Sequence, residues 1–300
     1  MVSFLADVLP YLHSDIAKRI SAYSQSNYIT EIRITLFRPV LVTSREEVCI
    51  LEDSFGLPLV ADKVRFSYTV SAITAGSAYS VEETMRQGFV TIRGGHRVGV
   101  CGTAVADNGK IKTVKDISSL CFRVSREIVG CSEDLCRELV GGRGVYNTLI
   151  ASPPGYGKTT MLRDICRILA SGKGILPIKK VGIADERGEI AAMNNGVSPF
   201  DLGYGCFVCT GHEKSAAFTS MLRAMSPDVL ISDEVGTDED FRTIARAVNC
   251  GVSVITSIHA FDIGDLKRRF GEELKLFDIV VFLMNKNSRF SLYRRDKGDY

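Results

Sequence analysis

The segment 151–160, ASPPGYGKTT, constrains this chain more than any other. It follows the short apolar run NTLIA, and it precedes residues Met161, Leu162, Ile165, Ile168 and Leu169, which fall at helical spacing. A glycine-rich turn between a strand and a helix, closed by Gly-Lys-Thr, is the phosphate-loop pattern. Its chemistry is anion binding. Glycines let backbone N–H groups curl around β- and γ-phosphates, the helix N-terminus adds a positive partial charge, Lys158 pairs with phosphate oxygens, and Thr159 offers a hydroxyl to Mg2+. The expected nucleotide-binding set is Ser152, Pro153, Pro154, Gly155, Tyr156, Gly157, Lys158, Thr159 and Thr160, with ATP and Mg2+ as cofactors. Ser152 stands where the pattern has its first glycine. That is tolerable if the residue keeps a negative φ, and Pro153-Pro154 stiffens the entry.

Beyond this loop, short apolar runs alternate with amphipathic stretches. The order is VGIAD, a helix over 213–225, DVLIS, a helix over 238–249, VSVITSI, a helix over 262–270, then DIVVFLM and RFSLYRR joined by a polar turn at 285–288. Such alternation implies βαβ units and a mainly parallel sheet with helices on its faces, so 144–300 reads as one α/β domain. The first half has another rhythm. Helical spacing over 4–24, broken at Pro10, leads into alternating β-branched residues over 29–43. Residues 66–87 read as helix, 88–105 as a hairpin with close backbone approaches at glycines, 107–110 as a turn, and about 119–125 as a strand. This predicts a smaller α+β domain over 1–130. Residues 131–143 read as a linker region carrying one short helix N-capped by Ser132. Typical domains use roughly 150 residues, so a 300-residue chain has room for both.

Other strand ends carry reactive side chains. Asp233 and Glu234 close the strand DVLIS; Asp233 suits the Mg2+ shell, and Glu234 suits a general base acting on water. Two acids that merely end a strand are the plain alternative. Asp185, Glu186 and Glu189 in VGIADERGEIA are expected to position a water, although a solvated loop would also hold such acids. His259 ends VSVITSI, where its ring could sense a γ-phosphate or could be an ordinary structural histidine. Arg223 is a candidate charge stabiliser, with Arg242 and Arg246 as weaker ones that equally fit a solvated helix face.

Composition narrows the function classes. Lysine and arginine total 37 against 35 acids, so general attraction to polyanions is not expected. Nine scattered cysteines and an acidic start without a basic leader imply free thiols in a reducing cytosol. The apolar run 279–284 is far shorter than the roughly 18 residues a membrane span needs. Cys206-Phe-Val-Cys209 with His212 has part of a zinc spacing but lacks a second half, so incidental thiols are expected.

In order, SPPGYGKTT, DERGEIA, LRAMSPDVLISDEVG and TSIHA resemble the Walker A, acidic, Walker B and histidine boxes of secretion ATPases. EIRITLFRPVLV, GFVTIRGGHRVGVCGTAV and ISSLCFRVSREIVGC narrow the resemblance to the stage III sporulation protein AA family. It implies a RecA-like P-loop ATPase domain and a homohexameric motor. It also implies membrane-protein partners in a channel between mother cell and forespore, and a cytoplasmic mother-cell location peripheral to the membrane. Arginines of the N-terminal domain reach the nucleotide in related motors, which singles out Arg97, Arg123 and Arg126. An Asp-Glu pair stands where many such motors have Gly-Glu, in keeping with ordinary Mg2+ geometry at Asp233. The alternatives are a nucleic-acid-binding P-loop ATPase, disfavoured by the near-neutral charge, and a nucleotide-gated assembly scaffold with negligible turnover.

Overall fold

The fold was analysed in a computed structural model that describes residues 4–44, 47–74, 88–107, 110–125, 127–142, 144–172, 177–194, 196–284 and 289–300. It resolves into two compact units, one formed by Met1–Arg126 with Asn194–Pro199, the other by Glu127–Met193 with Phe200–Tyr300.

The first unit is α+β. Short 3-10 turns precede α1 (Ser14–Ala22), and α2 spans Lys63–Thr74. Strands β1 (Ile29–Thr35), β2 (Leu41–Ser44), β3 (Glu47–Ile50), β4 (Phe89–Ile92), β5 (His96–Asp107) and β6 (Lys110–Arg123) form an antiparallel sheet of order β3-β2-β1-β6-β5-β4. The alternation seen over 29–43 is therefore two strands and a turn. Its period places Ile32, Ile34, Val98, Val100, Leu120 and Phe122 on one buried face, against Ile16, Ile20 and Phe66 of the helices. The hairpin read over 88–105 is β4 with β5, and the strand read at about 119–125 is β6, which begins at Lys110 and pairs along β5. At Gly102 an added Cβ would lie 2.6 Å from the Lys115 carbonyl oxygen, beside a register shift between Cys101 and Thr103. The expected helix beyond Thr74 and the tips of the turns at 107–110 and 285–288 fall outside the described residues.

The second unit is α/β with a mostly parallel sheet. A two-residue ladder, β7 (Val140–Gly141) with β8 (Gly144–Val145), leads into β9 (Thr148–Ser152), β10 (Val181–Asp185), β11 (Cys206–Thr210), β12 (Val229–Glu234), β13 (Ser253–His259), β14 (Ile279–Leu283) and β15 (Phe290–Arg294). Their order is β11-β10-β12-β13-β9-β14-β15, parallel except for the β14-β15 hairpin. The helices are α3 (Glu133–Leu139), α4 (Lys158–Ser171), α5 (Lys214–Ala224), α6 (Asp238–Asn249) and α7 (Ile263–Phe270). β11 had no forecast; its CFVCT pairs in parallel with β10 at the sheet edge.

Residues 131–143 are not a free linker. Leu135, Cys136 and Leu139 of α3 are buried in the same core as α4 and the sheet. Ser132 sits at the N-cap of α3, but its hydroxyl donates to Asp164 Oδ2 at 2.8 Å instead of capping the helix. Asp164 is 3% exposed and also accepts the N–H groups of Gly130 and Ser132 and the Arg167 Nε at 2.7 Å. Burial alone would push its pKa up, but these donors outweigh burial and hold it below the ordinary carboxylate value.

Removing one partner from a buried ion pair strands the other charge. Asp164→Ala is expected to destabilise the protein by roughly 3–5 kcal/mol, read from the urea midpoint at neutral pH. Because the folded pKa is depressed, this stabilisation is present above the unfolded carboxylate pKa and fades as pH falls through the folded one, so the variant and the parent should converge in acid.

Candidate active site

Four parallel strands end together. β9 closes at Ser152, β10 at Asp185, β12 at Glu234 and β13 at His259. Carboxyl ends of parallel strands form a crevice that suits ligands, and here the sheet order brings residues distant in sequence to one edge. The Walker B strand β12 is not adjacent to β9; β13 lies between them and brings His259 to the phosphate loop.

The loop is open on its outer side. Gly155 and Gly157 have φ of +78° and +92°, which side-chain-bearing residues rarely adopt, and an added Cβ at either position would meet no atom within 4 Å. Space is therefore open over the loop where the first turn of α4 presents its N–H groups, which fits a phosphate chain. Ser152 ends β9 outside the positive-φ set, meeting the condition for replacing glycine, and its hydroxyl donates to the Pro153 carbonyl at 2.8 Å. Tyr156 packs partly buried against the core around α4. Thr159 and Thr160 follow Lys158 in the first turn, half-buried.

Lys158 is 7% exposed and points to Ser152 O at 3.2 Å, Ser152 Oγ at 3.3 Å and His259 Nδ1 at 2.7 Å. Desolvation lowers its pKa to about 8, opposed by the charges of Glu234 and Asp233. An ammonium only donates, so the short contact makes His259 Nδ1 an acceptor and leaves the proton on Nε2. Nε2 lies 3.7 Å from Glu234 Oε1, and Arg187 Nη1 lies 3.8 Å from Glu234 Oε2.

Asp233 sits at a bulge. Ile231 faces Ile255 but Glu234 faces Ser257, so β12 carries one extra residue there, a device that re-aims side chains next to active sites. Its carboxylate accepts from Ser257 Oγ at 3.3 Å. Burial raises its pKa to about 6, assisted by the charges of Glu189 and Asp185. Thr159 and Asp233 are the residues that could hold Mg2+, and a cation there would relieve this crowding of negative charge.

The acidic box divides. Asp185 is fully buried; its Oδ1 accepts the N–H groups of Glu189 at 2.7 Å and Ile190 at 3.1 Å, and its Oδ2 that of Ala191 at 2.8 Å. It is thus occupied in shaping the loop, which corrects its expected role on a water. Glu186 is exposed, whereas Glu189 is half-buried and close enough to Asp233 to raise its pKa. The other clamp on this loop is Arg163 of α4. Its Nε donates to Ile190 O at 2.7 Å and its Nη2 to Glu189 O at 2.8 Å, and it stacks 3.7 Å above the Phe200 ring. Sequence reasoning missed Arg163, because it occupies a position that reads as the polar side of an amphipathic helix.

The arginines lie elsewhere. Arg223 is exposed in the last turn of α5, about 14 Å along the helix from Lys214 at the site edge. Arg242 is exposed, and Arg246 faces Glu239 at 4.0 Å. Arg97 and Arg123 belong to the first unit, opposite each other on β5 and β6, with Arg97 4.7 Å above the Phe89 ring. Arg126 falls outside the described residues. Cys206 Sγ lies 3.5 Å from Cys166 Sγ, and Cys209 Sγ 3.5 Å from His212 Nδ1.

The profile of the family described as "Sporulation stage III, protein AA" matches residues 8–290. Stage III sporulation protein AA of Bacillus subtilis (strain 168) is 38% identical over 267 residues, spanning 88% of this chain and 84% of that protein. Among solved structures, the Legionella pneumophila ATPase DotB superposes with a TM-score of 0.60 at 12% identity, covering 91% of this chain and 77% of that one. The pilus retraction motor PilT with bound ADP gives 0.54 at 16% identity, covering 89% and 76%. At these identities the likeness is one of fold.

Asp233 supplies a measurable test of the electrostatics. A carboxylate whose folded pKa is raised costs stability once it ionises, so the cost builds between about pH 4 and pH 6. Asp233→Asn should raise the thermal midpoint above pH 6, by an amount equivalent to about 2–3 kcal/mol, and leave it nearly unchanged below pH 4.

Proposed function

Because the chain belongs to the stage III sporulation protein AA family, we propose that it is an ATPase whose second unit is a RecA-like P-loop domain of the secretion-motor type. The observation that carries this reading is the meeting of Lys158, Asp233, Glu234 and His259 over an open glycine loop at the ends of parallel strands. In this reading the backbone of 155–160 and the Lys158 ammonium bind the β- and γ-phosphates of ATP. Thr159 and Asp233 hold Mg2+, which neutralises charge on the phosphates when bound. Glu234 takes the proton of the attacking water as general base. Glu189, fixed by the Asp185 and Arg163 clamps, orients water from the β10 side, with Glu186 beside it. His259 reports the γ-phosphate because it touches both Lys158 and Glu234. Arg223, Arg242, Arg246, Arg97, Arg123 and Arg126 are the candidates for stabilising charge from the same or a neighbouring subunit.

Family membership extends the proposal to a hexameric motor. It acts in the mother cell during endospore formation and energises a channel complex through membrane-protein partners. Among the described residues no helix is long and apolar enough to cross a membrane, which leaves such partners as the route to one. A nucleic-acid role is disfavoured locally as well as globally, since Glu186, Glu213, Glu239 and Asp240 surround the Glu234 end of the site.

ATP hydrolysis measured together with mass by light scattering, with and without nucleotide, tests the reading. Lys158→Ala should reduce turnover to background. Glu234→Gln should keep ATP binding and lower kcat roughly 10²- to 10⁴-fold. Normal turnover by either variant would overturn the roles, and tight ATP binding without phosphate release by the parent would favour a scaffold.

A further inference from the structure

Glu234 has a second side. His259 approaches its Oε1, and Arg187 approaches its Oε2 from the β10 side, where a cleft of about 460 Å³ opens. No phosphate-loop residue lines this cleft. Its walls carry five carboxylates, those of Glu186, Glu213, Glu234, Glu239 and Asp240, against the two cations Arg187 and Lys214. Lys214 is internally compensated, with Nζ 2.8 Å from Asp240 Oδ1 and 2.7 Å from Glu234 O, so it does not offset the rest. The side chains of Glu186 and Glu213 make no hydrogen bond or ion pair among the described residues, and both residues are exposed.

A second observation is independent of the charge. Thr243 lines the same cleft, is 3% exposed, and its Oγ1 has no hydrogen-bond partner among the described residues. A helical threonine ordinarily bonds a carbonyl one turn back, and a buried hydroxyl left unpaired costs stability. An acceptor and donor kept unpaired in an acidic cleft points to a ligand that brings N–H groups. Among the described residues no three His, Cys, Asp or Glu side chains converge as a metal centre would need. The carboxylates exclude a phosphate. A planar guanidinium, with five donors spread over a fork, matches separated carboxylates plus one hydroxyl better than a point-like ammonium does.

We propose that this cleft binds an arginine side chain carried on an extended segment of a partner protein. Its volume suits one long side chain with its flanking backbone and not a folded surface. Glu234 lines the cleft and also faces His259, so an occupant reaches the residue assigned as general base; this consequence, unlike the binding, rests on the ATPase reading.

The test uses the full chain and tri-arginine amide as probe, with tri-citrulline amide as an uncharged isostere, by calorimetric titration at low salt. Tri-arginine should bind and tri-citrulline should not. Glu213→Gln and Thr243→Val should each weaken binding about tenfold or more, as expected for a hydrogen bond to a charged group. Thr243→Val removes no charge, so its effect separates the site from general attraction between opposite charges. It should unfold at an unchanged or higher urea midpoint, which keeps loss of binding distinct from loss of fold. Absence of tri-arginine binding, or wild-type affinity in both variants, overturns the proposal. So does a fall in mass by light scattering for both variants with tri-arginine affinity intact, which would make the occupant a second copy of this chain. Unaltered binding by Lys158→Ala, which is silent in turnover, would show that the cleft stands even if the ATPase assignment fails.

Discussion

The second unit depends on one helix being buried on every side. From Met161 to Ala170 each residue of α4 is shielded from water, including Arg163, Asp164 and Arg167. Charges in such a place are tolerated when they are paired with one another or with polar groups inside the protein. Those matches define the surroundings. Arg163 grips the carbonyls of Glu189 and Ile190, and Asp164 grips the amides of Gly130 and Ser132. The helix that begins at the phosphate loop is thus tied on one flank to the acidic loop and on the other to the start of the unit. A displacement of its N-terminus has direct polar contacts through which to reach both.

The same economy of water shapes the site. Lys158 is pushed down toward neutrality and Asp233 up toward it, each chiefly by burial. Both ionised forms are therefore stored at a cost that a phosphate beside the lysine and a divalent cation beside the aspartate would relieve. Asp185 has both carboxylate oxygens taken by three backbone amides, which is why it belongs to the architecture of the loop. His259 reaches both Lys158 and Glu234 because β13 separates β9 from β12.

What the sequence made legible follows from range. The phosphate loop, the strand-helix alternation and the acids at strand ends are local patterns, and residues 238–249 fall as helix where their spacing and the Thr237–Asp240 capping box put them. The bulge at Asp233 had no signature, because it arises from pairing with β13 and not from glycine. Arg163 and Asp164 read as a solvent face because periodicity reports polarity, and polarity is silent about loops that fold over it from elsewhere in the chain. Residues 131–143 read as a linker for the converse reason. Their glycines mark a turn, but Leu135 and Leu139 are held by a core assembled from residues far downstream. Lys214 likewise belongs to an exposed-looking helix start, yet it is buried by contact with Asp240 and the end of β12.

Glu234 is where these constraints meet. It is the last residue of a strand whose bulge has turned it outward, so its two oxygens face different neighbours, a histidine linked to the phosphate-loop lysine and an arginine from the acidic loop. Both contacts are long, at 3.7 and 3.8 Å, and the carboxylate is 40% exposed. Contacts of that length in partial solvent are weak, so the carboxylate is guided but not locked. A rigidly bonded glutamate would be a poor base, since its lone pairs would be committed. One held loosely between the end of β13 and the acidic loop can be drawn either way by whatever engages Lys158 on one side or the acidic cleft on the other. Where its carboxylate points is set by the positions of His259 and Arg187, which flank it at long range, and not by a close bond of its own.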